Sequence, residues 1–281
     1  MRGRNERQDS ISSALKISLI SVSAVLYAAG IAVTSPISTP WGVGHFRPGV
    51  VIPAFFAVTC GPLIGGAGAG LGCWLGDLAL SFWGLTDPIL SLIAGVPGNF
   101  VGFYLLGWLT SRFRSWGSFI LGSLVSFTIG NFICAFGVVG YFSTVVPVWA
   151  PWPIEVKLAT IIGFTLFWVA TMIPFVIPLV PIIMKGAEPV LNKTGSIIKN
   201  PRLSWGKPSS LAVSWIFVAM ILTIMYLVSI FTPVGDFLFS KVTEPQLIPW
   251  VKALLLIAAG VVAFFGISAT IVATRMFRKP E

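Results

Sequence analysis

The chain has 281 residues, of which 56% are hydrophobic and 10% are charged, and its formal net charge is +9. A water-soluble domain carries about a quarter charged residues, so this composition excludes a soluble globular protein. Apolar stretches of about 20 residues, enough to cross a bilayer as helix, recur along the chain. We therefore predict an all-α, polytopic integral membrane protein.

A polar and basic tail at 1–13 precedes eight apolar segments. The first segment is long for the apolar core of a signal peptide and many others follow it, so we expect it to remain as the first transmembrane helix. The second and third segments are joined so tightly at Gly61–Gly66 that they could form a re-entrant hairpin. The predicted spans are 14–34, 48–63, 66–84, 88–110, 117–140, 157–184, 210–232 and 250–274.

The segment 185–209 is polar and rich in Lys, Pro and Ser, and it divides the predicted helices into two groups. We expect it to be a cytoplasmic linker. It would join a six-helix domain at 14–184 to two additional transmembrane helices at 210–274, which a cytoplasmic tail at 275–281 follows.

The positions of the basic residues predict the orientation in the membrane, because cytoplasmic loops are enriched in Lys and Arg. With the N-terminus in the cytoplasm, fourteen of the 18 Lys and Arg residues lie inside. The four that lie outside are Arg47, Lys157, Lys241 and Lys252. We expect a multi-pass protein of the cell (cytoplasmic) membrane with both termini in the cytoplasm, and we attribute the net charge to this topology. Nucleic acid is not an expected partner.

Small residues recur on one face of the first helix. Ala24, Ala28 and Ala32 are spaced by four residues, and small side chains let a second helix approach closely. The pattern fits either packing within the chain or docking of a partner.

The third helix carries six glycines between Gly65 and Gly76 and ends near Asp77. Glycine lowers helix propensity by about 1 kcal/mol relative to alanine in water, so this density predicts the close approach of another backbone. A carboxylate at this depth is costly unless it is paired or hydrated, and such residues commonly mark functional sites. Asp77 is therefore a candidate ligand-binding residue. The alternative is a helix-end Asp that ties down the turn at 84–88.

Two asparagines, Asn99 and Asn131, each follow a glycine in a repeated Gly-Asn-Phe triplet of neighbouring helices. Each brings an amide with two donors and one acceptor into the membrane. They could bond to each other across the bundle or contact a ligand.

The outer loops combine aromatic and charged residues. Trp41, His45 and Arg47 lie in the first loop, and Trp152 and Glu155 lie between the fifth and sixth helices. The tryptophans could be anchors at the membrane interface or walls of a pocket for a flat, polar heterocycle. His45 and Arg47 could bind a carboxylate or phosphate of the ligand. Glu155 could bind an amine or pair with Arg47.

Residue content disfavours several other functions. Cys60, Cys73 and Cys134 lie inside apolar segments without the spacing of a metal site, and a single histidine excludes a histidine-rich metal centre. His45 has no evident nucleophile as a partner, and no motif around Asp77 and Asp87 indicates an aspartate dyad. We expect no enzymatic activity, no metal and no cofactor.

The alanine face, the first outer loop and the glycine-rich helices follow each other in an order that resembles a known family. The Ala-x-x-x-Ala face is followed by an outward loop and then by IPAFFAVTCGPLIGGAGAGLGCWLGDL across two tightly joined helices. The next helix reads VPGNFVGFYLLGWL and ends in basic residues. Over 14–184 the chain is similar to the substrate-binding S components of energy-coupling factor (ECF) transporters. The helices at 210–232 and 250–274 have no counterpart in that six-helix pattern.

The resemblance implies capture of a vitamin or similar micronutrient at the outer face, with the first loop as a lid. It also implies that the Ala24, Ala28 and Ala32 face docks on a transmembrane coupling subunit and that two cytoplasmic ATPases drive delivery. This sequence has no nucleotide-binding motif of its own, as that division of labour requires. The alternatives are a stand-alone secondary transporter or facilitator, in which Asp77 and Asn131 line a path, and a non-transport accessory or scaffold protein.

Overall fold

The computed structural model describes residues 12–34, 37–193 and 203–277. Almost all of the predicted N-terminal tail, the middle of the predicted linker and the end of the C-terminal tail lie outside this range. The described residues form helices and connecting loops without a β-sheet. The protein is therefore an all-α, polytopic membrane protein, as its composition predicted.

Within the described ranges, seven helices are long and apolar enough to cross a bilayer. They are α1 (Ser13–Thr34), α3 (Pro62–Ser81), α4 (Pro88–Phe113), α5 (Trp116–Val145), α6 (Ile154–Lys193), α7 (Pro208–Phe231) and α9 (Ile248–Phe277). Two are short, α2 (Val51–Cys60) and α8 (Pro233–Leu238). Helix α6 continues into the predicted linker, although it contains four prolines, and α7 and α9 are the two helices expected after it.

The predicted second span is shorter than a full crossing. Helix α2 and the 3₁₀ turn Pro48–Val50 that precedes it comprise 13 residues, or about 20 Å of helix, against about 30 Å of hydrocarbon. The chain then reverses at Gly61, whose φ of 99° suits glycine, and returns as α3. The structure thus has a helical hairpin with one short arm, the alternative that the sequence left open beside two separate spans.

The glycines of α3 bring it close to two neighbouring helices. Those on one face meet α1: a methyl group added to Gly72 would lie 2.7 Å from the carbonyl oxygen of Ala24, and Gly68 lies similarly against Ser23. Gly66 and Gly70, on another face, lie against the backbone of α4. The glycine density therefore does reflect close helix packing, here within the chain.

This packing changes the interpretation of the alanine face of α1. Ala24 is fully buried against α3, because the small residues of the two helices face each other. Ala28 is half-buried and Ala32 is exposed. Ala24 is consequently not available to a partner in this conformation, in contrast to the expected docking face.

The connecting segments gather at two ends of the bundle. The end that we call the loop-rich end holds the segments 37–47, 82–87, 146–153 and 232–247. At the opposite, basic end, the backbone of Ser204 exchanges hydrogen bonds with Arg114 and Trp116. The alternation of long helices between these ends positions a single layer of loops over the bundle, and the candidate site lies beneath it.

The two C-terminal helices pack on one side of the bundle. Trp215 of α7 donates a hydrogen bond from Nε1 to Thr270 Oγ1 of α9 (3.0 Å) and lies over Gly266. Helix α9 contacts α6 and α7 contacts α5, whereas α1 packs mainly against α3 and α2. The helix pair therefore leaves the outer face of α1 open.

Candidate functional site

A cavity of about 280 Å³ opens at the loop-rich end. It lies between the first loop, the turn that follows α3, and the helices α4, α5 and α6. Part of its wall is a π-helical turn at Ser91–Gly95 of α4, a distortion that often accompanies functional sites. Five residues predicted for the site line this cavity: His45, Arg47, Asp77, Asn99 and Asn131.

The first loop, residues 37–47, covers the cavity as a compact turn. Ser38 and His45 pair as an isolated β-bridge, and Thr39 N donates to Gly44 O at 3.1 Å. Gly42 and Gly44 have φ angles of 71° and 77°, a left-handed conformation that favours glycine. The loop thus has internal hydrogen bonds of its own and forms one wall of the cavity.

Trp41 fastens this loop to the rest of the protein and does not line the cavity. Its side chain is 1% exposed. The ring lies 4.4 Å from that of Phe164 in α6 and 5.6 Å from that of Phe239, between centroids. The amides of Thr243 and Glu244 both donate to the neighbouring Pro40 carbonyl at 2.9 Å. The segment between α7 and α9 therefore holds the loop in place.

His45 lies at the other end of the same loop. Its Nε2 is 3.0 Å from the carbonyl oxygen of Leu85, so Nε2 carries the proton and donates. Trp168 of α6 donates from Nε1 to the carbonyl oxygen of His45 at 3.3 Å. These contacts join the first loop to the turn after α3 and to α6.

Arg47 and Asp77 form a buried ion pair. Arg47 Nη2 lies 2.7 Å from Asp77 Oδ1, and the two side chains are 12% and 6% exposed. Asp77 Oδ2 accepts a hydrogen bond from Ser91 Oγ at 2.7 Å, and Arg47 Nη1 lies 3.0 Å from Cys73 Sγ. Burial would lower the pKa of Arg47, but the Asp77 carboxylate outweighs it and raises that pKa, so the guanidinium stays charged.

Two further contacts bear on the alternatives weighed for these residues. The Thr86 hydroxyl donates to the backbone carbonyl of Asp77, so the backbone at this position, and not the carboxylate, holds the turn at 84–88. Glu155 is exposed at the start of α6. Arg47 pairs with Asp77 and not with Glu155.

Asp87 is a functional candidate that sequence reasoning did not select. It caps α4: Oδ1 accepts from the amides of Ile89 (2.8 Å) and Leu90 (3.3 Å), and Oδ2 accepts from Tyr141 Oη at 2.6 Å. Partial burial would raise the pKa of Asp87, but these hydrogen bonds outweigh it and lower that pKa. The Asp-Pro pair at the start of an apolar segment was the available signal, since it is typical of a helix N-cap.

Asn99 and Asn131 line the deeper part of the cavity, each with a partner of its own. Asn99 Oδ1 accepts from Tyr27 Oη at 3.0 Å, and its Nδ2 donates to Gly95 O at 2.8 Å. Asn131 Nδ2 lies 3.4 Å from Met172 Sδ, a weak acceptor. Both amides thus face the cavity without bonding to each other.

The glycines of the repeated triplet explain why the two helices meet at this depth. A methyl group added to Gly98 would lie 2.6 Å from Gly130 O, and one added to Gly130 would lie 2.7 Å from Gly98 O. Backbones of α4 and α5 can therefore touch here, which brings the asparagine next in sequence on each helix to the cavity floor.

Trp152 and Glu155 lie outside the cavity lining. Trp152 stacks on Trp149 with 4.4 Å between ring centroids, and Trp149 lies 5.2 Å from Phe142. Phe142 is the member of this aromatic series that reaches the cavity. The aromatic wall expected from the sequence is thus supplied by Phe142 and by Trp168, which no local pattern marked.

The cavity combines a few fixed polar groups with apolar walls, as small-molecule sites commonly do. The apolar lining residues include Leu90, Ala94, Val138, Phe142, Trp168 and Met172. Among the residues that the structure describes, no group of three or more His, Cys, Asp or Glu side chains is placed to hold a metal ion. It is the mixed lining, with fixed polar groups among apolar walls, that suits a small organic ligand.

Comparisons of the chain with family models, with curated proteins and with solved structures found no match.

Proposed function

We propose that this protein is a membrane subunit that binds a small organic solute in the cavity at the loop-rich end during uptake. The single observation that carries the proposal is the cavity itself, in which fixed polar groups face apolar walls. The first loop covers it and is anchored by Trp41. A bundle that served as a scaffold alone would gain stability from filling this space.

We further propose that ATP hydrolysis by partner subunits drives the uptake. The sequence resemblance to S components supports a role in which the solute is a vitamin or similar micronutrient, captured from outside and passed to a coupling subunit with two ATPases. The open outer face of α1, which includes Ala32, leaves space for such a subunit in the membrane. The basic residues support an external position for the loop-rich end.

A cavity-filling substitution tests the binding site. Native mass spectrometry of the gently purified protein should detect a co-purified small molecule, and Val138→Phe, which adds volume to the cavity wall, should remove it. Val125→Phe is the matched control, because Val125 lies on the exposed side of the same helix. An unchanged co-purified molecule in Val138→Phe would place binding elsewhere.

A stand-alone secondary transporter is the second candidate, and the buried Arg47–Asp77 pair favours it, because ionisable groups inside membranes often mark ion paths. The two candidates differ in their energy source. Uptake that a protonophore abolishes but that survives ATPase depletion would support the secondary transporter. Co-purification with ATPase and coupling subunits would support the subunit.

A further inference from the structure

We infer that the solute is a small organic cation, with a protonated amine or similar group that binds beside Asp87. This inference rests on the proposed function, since it concerns the ligand of the same cavity. It follows from the balance of charge among the lining residues, from the chemistry of the walls and from the volume.

The charges that line the cavity do not cancel. Its charged side chains are Arg47, Asp77 and Asp87, and His45 joins them as a fourth titratable group. Arg47 and Asp77 neutralise each other at 2.7 Å. The carboxylate of Asp87 has hydrogen-bond donors as partners, namely a hydroxyl and two amides. Asp87 is therefore the charged lining side chain that is held by neutral donors and not by an opposite charge.

The basic residues near this end do not offset that charge. None of the lysines that the structure describes lines the cavity. Lys157 donates from Nζ to the carbonyl oxygen of Ala150 at 3.0 Å, and Lys252 lies 3.9 Å from Asp236. An anion that approached Arg47 would also meet Asp77 directly beside it, and like charges in a site of reduced dielectric repel each other strongly. The expected binding of a ligand carboxylate or phosphate by Arg47 is therefore disfavoured.

The walls indicate an organic cation and not a metal ion. Hard metal ions need several oxygen ligands, whereas Asp77 is engaged by Arg47 and Ser91. Phe142 and Trp168 also line the cavity, and the faces of aromatic rings attract organic cations. The amine-binding role that the sequence suggested for Glu155 thus falls to Asp87.

The volume limits the size of the ligand. A cavity of about 280 Å³ lies at the lower end of the range for small-molecule sites, about 300–1,000 Å³, which suits a ligand of about one substituted ring. Asn131 and Asn99 at the floor would then face the ring, while the charged group stays near Asp87 at the start of α4.

Three probes of similar size and different charge test the inference: benzylamine, benzyl alcohol and benzoate. Their affinities for the full chain in detergent would be measured by isothermal titration calorimetry at neutral pH. We expect benzylamine to bind most tightly, benzyl alcohol more weakly and benzoate most weakly. Asp87→Asn should reduce the benzylamine affinity by about tenfold or more, because it removes a charge-assisted contact. The same variant should leave the benzyl alcohol affinity within about twofold.

Asp87→Asn is suited to this test, because asparagine is also a good N-cap and should preserve the start of α4. Asp236→Asn is the matched control, since Asp236 is exposed and does not line the cavity. Its benzylamine affinity should equal that of the unmodified protein.

The outcomes separate this inference from the proposed function. Benzoate or benzyl alcohol binding as tightly as benzylamine, or no binding of any probe, would overturn the cation assignment. So would a benzylamine affinity that Asp87→Asn leaves unchanged. If Val138→Phe removes the co-purified molecule in such a case, the cavity remains the solute site and only the ligand class is wrong. Probe binding that survives Val138→Phe would overturn both.

Discussion

Arg47 and Asp77 are 30 positions apart, and helix geometry explains why they meet. The 13 residues of Pro48–Cys60 descend about 20 Å, and 62–77 climbs about 24 Å. Asp77 therefore returns to the level at which the hairpin started, beside Arg47. Sequence reasoning selected both residues but not their pairing, because no local pattern shows how far the hairpin returns toward its starting level.

The buried pair should be coupled in its effect on stability. Asp77→Leu leaves the Arg47 charge buried without its partner and should lower the free energy of unfolding by about 3–5 kcal/mol. The double variant Arg47→Met/Asp77→Leu should recover a large part of that loss, because neither charge remains. Unfolding of the detergent-solubilised protein in a double-mutant cycle measures this coupling.

The more distant pair of Lys252 and Asp236, in which only the carboxylate is exposed, provides the control for that cycle. Asp236 is 90% exposed and 3.9 Å from the lysine, so Asp236→Ala should not change stability measurably. Additive losses in the Arg47 and Asp77 cycle would contradict the coupling.

The Asp87 cap predicts a dependence of stability on pH. Its hydrogen bonds from Tyr141 and two amides lower its pKa from the ordinary 3.8. A group whose pKa is lower in the folded protein stabilises the fold above the unfolded pKa, and this contribution disappears as pH falls through the folded pKa. Asp87→Asn should therefore flatten the acid limb of the stability curve. Unfolding curves recorded between neutral pH and about pH 2 test this, and an unaltered acid limb in the variant would contradict it.

At the level of helices, composition identified the close packing of α3 but not the helices that it packs against. Glycine density predicts that a backbone comes near, and the structure assigns one glycine face to α1 and another to α4. The choice depends on how the hairpin of α2 and α3 folds back, which no local pattern encodes. For the same reason Ala24 could be selected for a small-residue face but not assigned to packing within the chain.

Gly72 tests this contact directly. Gly72→Ala would place a methyl group 2.7 Å from the Ala24 carbonyl oxygen, so α1 and α3 must separate. We expect a loss of about 1–3 kcal/mol, visible as a lower melting temperature. Gly140→Ala is the control, because nothing lies within 4 Å of the added methyl group. Equal melting temperatures for the two variants would show that the contact is not tight.

A second prediction at the level of helices and loops concerns how the first loop is attached to the bundle. Trp41→Ala removes the ring that packs on Phe164 and Phe239, with a loss of about 3 kcal/mol in local stability. Hydrogen exchange at the amides of residues 38–46 should become faster, while α3 stays protected. Trp83→Ala should leave this exchange unchanged, since Trp83 is exposed in the neighbouring turn. Unchanged exchange in Trp41→Ala would contradict the role of Trp41 as the anchor.

For the whole molecule, composition and the recurrence of apolar segments were enough to predict the fold class. Such features show that each helix lies in the membrane but not which helices it packs against. They therefore could not predict where the cavity forms. That cavity depends on contacts distant in sequence, such as Pro40 with Thr243 and Asp87 with Tyr141. The even number of passes, counting the short hairpin arm, puts the start of α1 and the end of α9 at the basic end.

The orientation of the bundle in the membrane determines from which side a solute can enter the cavity. The final prediction concerns this orientation. Val148→Cys at the loop-rich end should react with a membrane-impermeant thiol reagent on intact cells, because Val148 is exposed and the basic residues favour the other end as cytoplasmic. Ser209→Cys, exposed at the basic end, should react only after permeabilisation. The unmodified protein supplies the background from Cys60, Cys73 and Cys134, which all lie within helices. The reverse labelling pattern would show that the cavity opens to the cytoplasm. The protein could not then capture an external solute in this conformation, and the proposed uptake function would be contradicted.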